Sequence, residues 1–285
     1  MGNTIIKNPK EDMYGNSKEN ILLAFDGDEN YLGSGYIYPK LNFDMSPEHP
    51  LNIYVDITMA TASEIGNDVS CELLSRLMDR AKEVKEEYKE IQGRLYFGSL
   101  GDDQTKYDFF LSQGFIHDEG SYLLERATDD YVVDSTIQND VDVKVNDLFN
   151  EIEKEIIIKV HNDIFIKQMD DVFMKEVSEY ELSRNFTAYH KNEIIGNIMI
   201  YAEKSEDGRT LGKIESLFVL NEWRNKKIAR QLMDLAMGYF KLNGIDHVRL
   251  VVWSANKVAH SFYERLGFRF IKETELYLGI CLENK

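Results

Sequence analysis

Between Trp223 and Arg230 the chain reads Trp-Arg-Asn-Lys-Lys-Ile-Ala-Arg, which crowds Arg224, Lys226, Lys227 and Arg230 into one short stretch. From Ile228 the apolar residues Ile228, Leu232, Leu235, Ala236 and Tyr239 recur at helical spacing and stop at Asn243-Gly244, so the cations stand at a helix start. The first backbone N–H groups of a helix lack an intrahelical acceptor and carry partial positive charge, which makes such a start an anion site. In a chain of formal net charge −17, a cation cluster placed there either meets an anionic partner or is solvated.

The elements that position this turn can be read on both sides of it. Lys213–Leu220 carries Ile214, Leu217 and Val219 among β-formers and stops at Asn221-Glu222, so it reads as a strand, with Glu215 alternating between Ile214 and Ser216. After the helix, His247–Trp253 is a second apolar strand. Ser254-Ala255-Asn256 then opens a short helix that carries Phe262-Tyr263 before Leu266-Gly267-Phe268.

This order resembles the core of the GNAT superfamily of N-acetyltransferases, which move an acetyl group from acetyl-CoA to an amine. The family's turn motif is Arg or Gln, two residues, Gly, one residue, then Gly or Ala. Arg224 and Ala229 match it, while Lys227 stands in place of the glycine. Lysine can hold a right-handed φ/ψ, so the loop is expected to form with a larger side chain beside the phosphates. The second motif matches at Asn256, Ala259, Phe262, Tyr263, Gly267 and Phe268 without a gap.

The resemblance implies a role for each position. The CoA pyrophosphate would lie on Arg224, Asn225, Lys226, Lys227, Ile228, Ala229 and Arg230, with Leu217, Phe218 and Val219 completing the cofactor-binding set. Asn256 would hydrogen-bond the pantetheine arm. The Tyr263 hydroxyl would protonate the departing thiolate, a task suited to a phenol that stays protonated at neutral pH. Glu215 would be the general base for the ammonium of the acceptor, and a backbone N–H near Phe218 would stabilise the oxyanion. Plainer readings stand beside these: a solvated basic helix start, an aromatic helix face for Tyr263, a helix cap for Asn256, and an exposed strand carboxylate for Glu215.

An internal repeat precedes this segment. Ile53–Met59 reads as a strand, Glu72–Tyr88 as a helix and Gly93–Leu100 as a strand, and Phe109–Phe115 falls on Phe262–Phe268. Phe110 then replaces Tyr263, Asp103 replaces Asn256, and the Ala60–Asp68 turn carries Glu64 and Asp68 in place of cations. An anionic turn repels pyrophosphate, so this half reads as a degenerate copy without its chemistry. The alternative is two unrelated α/β units that share an FxxxGF packing motif.

The remaining elements follow from local patterning. Ile21–Phe25 and Gly35–Tyr38 are expected strands around an Asp26–Gly33 turn. Val141–Val145 is a strand, Asn146–Lys167 and Asp171–Tyr180 are helices, and Phe186–Tyr189 and Glu193–Tyr201 are strands joined at Lys191-Asn192. The first half has no room for the two helices that precede these strands in the family. The expected class is α/β (α+β): a degenerate GNAT-like domain over 1–128 and an acetyltransferase domain over 129–285, each a mixed, mostly antiparallel sheet flanked by helices. The boundary falls in the polar stretch Ala127–Asn139.

Composition narrows the function. Hydrophobic content of 43% supports packed cores, and 50 acidic against 33 basic residues disfavour broad nucleic-acid binding. Met1–Lys10 is polar and no apolar run approaches membrane-spanning length. Cys71 and Cys281 stand in no metal-ligand or CxxC spacing, which fits a reducing cytoplasm, and the scattered histidines form no HxH or HExxH site, so no metal is expected. The leading expectation is an acetyl-CoA-dependent N-acetyltransferase acting on a small-molecule or peptide amine, with no nucleic-acid or membrane partner. The rival is a non-catalytic acyl-CoA-binding or sensor protein, favoured by Lys227 and the degenerate copy.

Overall fold

Leu51, Ile53, Val55, Ile57 and Met59 are buried while the residues between Ile53 and Met59 are more exposed, the period of two that lays one strand face on a core. Such strands alternate with amphipathic helices in a computed structural model that describes residues 4–43, 46–100, 104–133, 141–146, 151–165, 169–205 and 207–282. In chain order the elements are β1 (Ile5–Lys7), β2 (Ile21–Phe25), β3 (Tyr31–Leu41), β4 (Leu51–Met59), α1 (Asp68–Glu87), β5 (Gly93–Leu100), α2 (Gln104–Ser112) and β6 (Ile116–Ala127). There follow β7 (Asp142–Asn146), α3 (Glu151–Ile164), α4 (Asp171–Glu179), β8 (Ser183–His190), β9 (Glu193–Lys204), β10 (Thr210–Val219), α5 (Ile228–Leu242), β11 (His247–Trp253), α6 (Lys257–Arg265) and β12 (Arg269–Leu282).

Two compact units are interleaved in sequence. The first comprises Met1–Tyr122, Trp253–Phe262 and Glu273–Lys285, and the second Leu123–Val252 and Tyr263–Lys272. In the first unit the strands run in the order β1-β2-β3-β4-β5-β12, and β12 belongs there because Glu275–Leu282 pairs antiparallel with Gly93–Leu100. Its core is Leu73, Leu74, Leu77, Ala81 and Val84 of α1 packed on Ile37, Ile53, Val55, Ile57 and Leu95. Each buried Leu, Ile or Val of this set contributes roughly 1.5–3 kcal/mol on burial. α1 starts at Asn67, whose Oδ1 accepts the Ser70 N–H at 2.9 Å. Between β1 and β2 there is only a 3-10 turn, Lys18–Asn20, where the second unit has α3 and α4 between β7 and β8.

The second unit orders its strands β11-β10-β9-β8-β7. The β8–β9 hairpin turns at Lys191 (φ 49) and Asn192 (φ 70), two left-handed residues that give the turn the twist a two-residue hairpin needs. α5 lies close to β10 because residue 212 is glycine: a Cβ there would come within 2.8 Å of the Phe240 ring.

Both units share one device. β4 pairs in parallel with β5 only from Leu51/Gly93 to Tyr54/Tyr96, and β10 with β11 only from Gly212/Val248 to Ile214/Leu250. Each pair then parts, although all four strands continue. The order strand, helix, parallel strand, short helix therefore occurs twice, as β4-α1-β5-α2 and β10-α5-β11-α6. Every other strand pairing described within the units is antiparallel, as expected for the α/β (α+β) class.

Several expectations shift in detail. The helix expected over Asn146–Lys167 is α3 at Glu151–Ile164, and 147–150 and 166–167 lie outside the described residues. The stretch taken as a polar boundary is not a loose connection in its described part. Thr128 Oγ1 donates to the Ile245 carbonyl at 2.8 Å, Lys241 Nζ to the Asp129 carbonyl at 2.8 Å, and the Tyr131 hydroxyl to Asp234 Oδ1 at 2.7 Å. These bonds fasten 128–131 to α5 and the turn after it; positions 134–139 lie outside the described residues.

Candidate active site

The site is built around a β-bulge. On β10, Ile214 pairs with Ile200 and Ser216 with Met199, so Glu215 is an extra residue in the ladder. An extra residue reverses the sidedness of everything after it. Gly212 faces Phe240 of α5 before the bulge, and after it Val219 lies opposite Gly196, which faces Ile228 of α5. An unbulged strand would put an even- and an odd-numbered residue on opposite faces. The bulge thereby turns Ser216 toward α3 and α4, the side on which Met199 packs with Met169, Met174 and Val177.

A histidine meets the bulge there. His161 of α3 is buried, and its Nδ1 lies 3.0 Å from Ser216 Oγ, which is itself fully buried. Phe165 packs against the same ring in a tilted arrangement at 4.5 Å. In the sequence His161 counted only among the scattered histidines. Its signal was position, since it falls four residues after buried Ile157 on the apolar stripe of α3.

Glu215 is half-buried. Burial first, and then the charges of Glu215 and Glu203, push the Tyr201 phenol well above the ordinary tyrosine range. Tyr180, at the end of α4, stacks on Tyr201 at 4.7 Å, and Glu203 pairs with Lys213 at 2.9 Å. Carboxylates beside aromatic faces make this side of β10 favourable for an ammonium group. Among the described residues the pairing of β10 with β11 stops at Ile214, so alternate backbone N–H groups of β10 after that point face the opening between the two strands.

The loop after β10 differs from expectation at one residue. Lys227 caps α5 with φ 59 and ψ 7, a left-handed conformation, and not the right-handed one that a lysine adopts without strain. Asn225 is left-handed too, at φ 62, while Lys226 between them is not. The backbone at Lys227 thus takes a conformation that glycine adopts freely, and the lysine bears its cost. Alternation of hand directs successive N–H groups to one side, and the first N–H groups of α5 follow directly.

The cations of this loop are not simply solvated. Arg224 Nε donates to the Val219 carbonyl at 3.2 Å, and Lys226 Nζ sits 4.2 Å from the Trp223 ring centroid. Arg230 donates to Asp234 Oδ1 at 2.9 Å and to the Val132 carbonyl at 2.6 Å. Arg230 is thereby held by α5 and the fastened segment, and Arg224 stiffens the strand-to-loop corner. Leu217 is half-buried, whereas Phe218, Val219 and Ile228 are buried.

Tyr263 lies in the last turn of α6 and is 8% exposed. Burial alone pushes its phenol well above the ordinary tyrosine range, so the hydroxyl keeps its proton at neutral pH. The helix stops by a Schellman motif: Gly267 has φ 86, the Phe268 N–H reaches the Tyr263 carbonyl at 3.0 Å, and the Gly267 N–H reaches Glu264 at 2.9 Å. The accompanying ring contact is Tyr263 on Phe268 at 5.9 Å. Asn256 has the capping role, its Oδ1 accepting the Ala259 N–H at 3.1 Å.

The first unit repeats the helix stop without the hydroxyl. Gly114 has φ 89, the Phe115 N–H reaches the Phe110 carbonyl at 3.2 Å, and Phe110 is fully buried, stacked on Phe97 at 4.2 Å. Part of the FxxxGF likeness between the halves is therefore a helix-stop signature. The Ala60–Asp68 turn holds a 3-10 turn, Ala62–Glu64, ahead of α1, and Asp103 lies outside the described residues. Among the described residues no group of three or more His, Cys, Asp or Glu could hold a metal ion, and no helix is long and apolar enough to cross a membrane.

A family model described as the acetyltransferase (GNAT) family matches residues 154–268, which takes in most of α3, the bulge, the loop and Tyr263. N-alpha-acetyltransferase 30 of Schizosaccharomyces pombe is 29% identical over 96 residues, 33% of this chain and 64% of that protein, so the chain spans less than two thirds of that relative's length. A solved GCN5-related N-acetyltransferase from Anabaena variabilis has a TM-score of 0.55 at 12% identity over 96% of this chain and 72% of that chain. That likeness of fold extends over nearly the whole sequence. A solved tandem GNAT protein from the clavulanic acid biosynthesis pathway covers 99% of this chain and 84% of its own at TM-score 0.45 and 11% identity. Residues 154–268 of this chain belong to the acetyltransferase (GNAT) family.

Proposed function

We propose that this protein is an acetyl-CoA-dependent N-acetyltransferase whose chemistry is carried by the second half of the sequence. The observation that carries the reading is the parting of β10 from β11 after Ile214, with the bulged Glu215 beside the opening and a helix start with left-handed Asn225 and Lys227 at its far end. The N–H groups of Asn225–Arg230 receive the pyrophosphate, with Arg224 and Lys226 adding charge. Leu217, Phe218 and Val219 line the thioester end, and Asn256 is assigned to the pantetheine arm by its place in the family motif.

Acetyl-CoA supplies the activated acyl group. Glu215 takes a proton from the acceptor ammonium, directly or through water, and the free amine attacks the thioester carbon. An N–H of β10 near Phe218 holds the developing oxyanion. As the C–S bond breaks, Tyr263 gives its proton to the sulfur, and the surplus proton on the new amide nitrogen is released and reprotonates the phenolate through solvent. The acceptor is a primary amine of a small molecule or peptide, and the likeness to an N-alpha-acetyltransferase makes a peptide α-amino group the first acceptor to test. Residues 1–128 act as a degenerate copy without turnover.

Free-thiol release from acetyl-CoA by the full chain, measured against a panel of amines and short peptides, tests the reading. Amine-dependent release is expected. Acetyl-CoA binding without release on any amine would make the protein a binding module.

A further inference from the structure

Resting on that reading, we propose that His161 is a positioning residue for the general base, acting through Ser216 to hold the β10 bulge. A bulged residue is left out of the strand ladder, so the backbone that carries its side chain is set by how its neighbours are fixed. On one side of Glu215, Ile214 is held by pairing with both Ile200 and Leu250. On the other side, β11 has already parted and Ser216 pairs with Met199 alone. The additional tie on that side is the 3.0 Å contact from Ser216 Oγ to His161 Nδ1.

The tie is well built to keep a setting. Both groups are buried, at 5% and 0% exposure, so water does not compete for the bond. The imidazole is fixed against Phe165 at 4.5 Å, and α3 is anchored by Ile158 in the cluster of Met169, Met174, Val177 and Met199. α3 and α4 also carry the Tyr180 end that stacks on Tyr201. α3 is thus tied directly to the strand that carries Glu215. His161 contributes orientation to Glu215 and takes no proton from the substrate.

The test compares His161→Leu, which removes the bond while keeping bulk, with His161→Asn, whose amide reaches the Nδ1 position. Hydrogen exchange of the full chain reads the bulge directly and needs no acceptor. His161→Leu should speed exchange at Glu215–Phe218 roughly tenfold, with α5 unchanged, and His161→Asn should restore it. With an active acceptor, His161→Leu should lower kcat with little change in KM for acetyl-CoA, and His161→Asn should recover most of it. Unchanged exchange at the bulge in a folded His161→Leu protein overturns the proposal, and so does an equal loss in both variants. Absence of turnover in the wild type would count against the transferase reading and leave the exchange result to decide this one.

Discussion

Replacing Lys227 by glycine should stabilise the protein relative to replacing it by alanine, the order that an N-cap position with positive φ calls for. Both substitutions remove the same lysine side chain, so their difference isolates the backbone. At φ 59 and ψ 7 an alanine keeps the left-handed strain, which costs roughly 1–2 kcal/mol. Glycine escapes it but surrenders roughly 0.5–1 kcal/mol of extra unfolded-state freedom. The balance favours Lys227→Gly over Lys227→Ala by about 0.5–1 kcal/mol. One residue earlier, φ is not positive and the sign flips: Lys226→Ala should exceed Lys226→Gly by about 0.5–1 kcal/mol.

Urea denaturation of the four variants measures this, followed by tryptophan fluorescence, to which Trp223 in this loop contributes, and comparing midpoints at constant m. Alanine outranking glycine at both positions would refute the left-handed assignment of Lys227. The claim that the loop holds a glycine-like backbone at a lysine would then fall as well.

Other outcomes follow from the same geometry. Tyr263→Phe should lower turnover by about 10²-fold or more while leaving acetyl-CoA affinity nearly intact, because the ring contact with Phe268 is kept and only the proton is lost. Since burial raises the Tyr263 phenol above its ordinary value of 10, the wild-type rate should show no alkaline fall from this group up to that pH. Arg224→Glu with Lys226→Glu should clearly weaken acetyl-CoA binding by calorimetry; equal affinity would displace the pyrophosphate from this loop. Phe110→Ala should cost about 3–5 kcal/mol in stability with no direct effect on chemistry, whereas a specific loss of turnover in a folded Phe110→Ala protein would give the first copy a role it is denied here.

Much of the fold was legible because its signals are local. Ile21–Phe25, Gly93–Leu100 and His247–Trp253 are strands with the bounds expected from their apolar runs, and the turns at Lys191-Asn192 and Asn243-Gly244 fall where those residue types put them. The Phe-Tyr-x-x-x-Gly-Phe spacing was legible as a motif, though its cause is partly the Schellman stop that Phe110–Phe115 shares. What escaped depends on partners distant in sequence. β12 joins β5 across more than half the chain, so nothing near Arg269–Leu282 announces its place. The bulge at Glu215 exists only relative to the register of β9, and Ser216 is turned to His161 by that bulge. Lys227 was misjudged because a residue's intrinsic preference was allowed to set its backbone, when the turn between β10 and α5 sets it instead.

The most direct test of the account is the stoichiometry and seat of acetyl-CoA on the full chain, measured by calorimetric titration of the wild type and of Arg224→Glu/Lys226→Glu. The account predicts one site per chain, lost in that double variant. Two equivalent sites, or one site indifferent to Arg224 and Lys226, would contradict it.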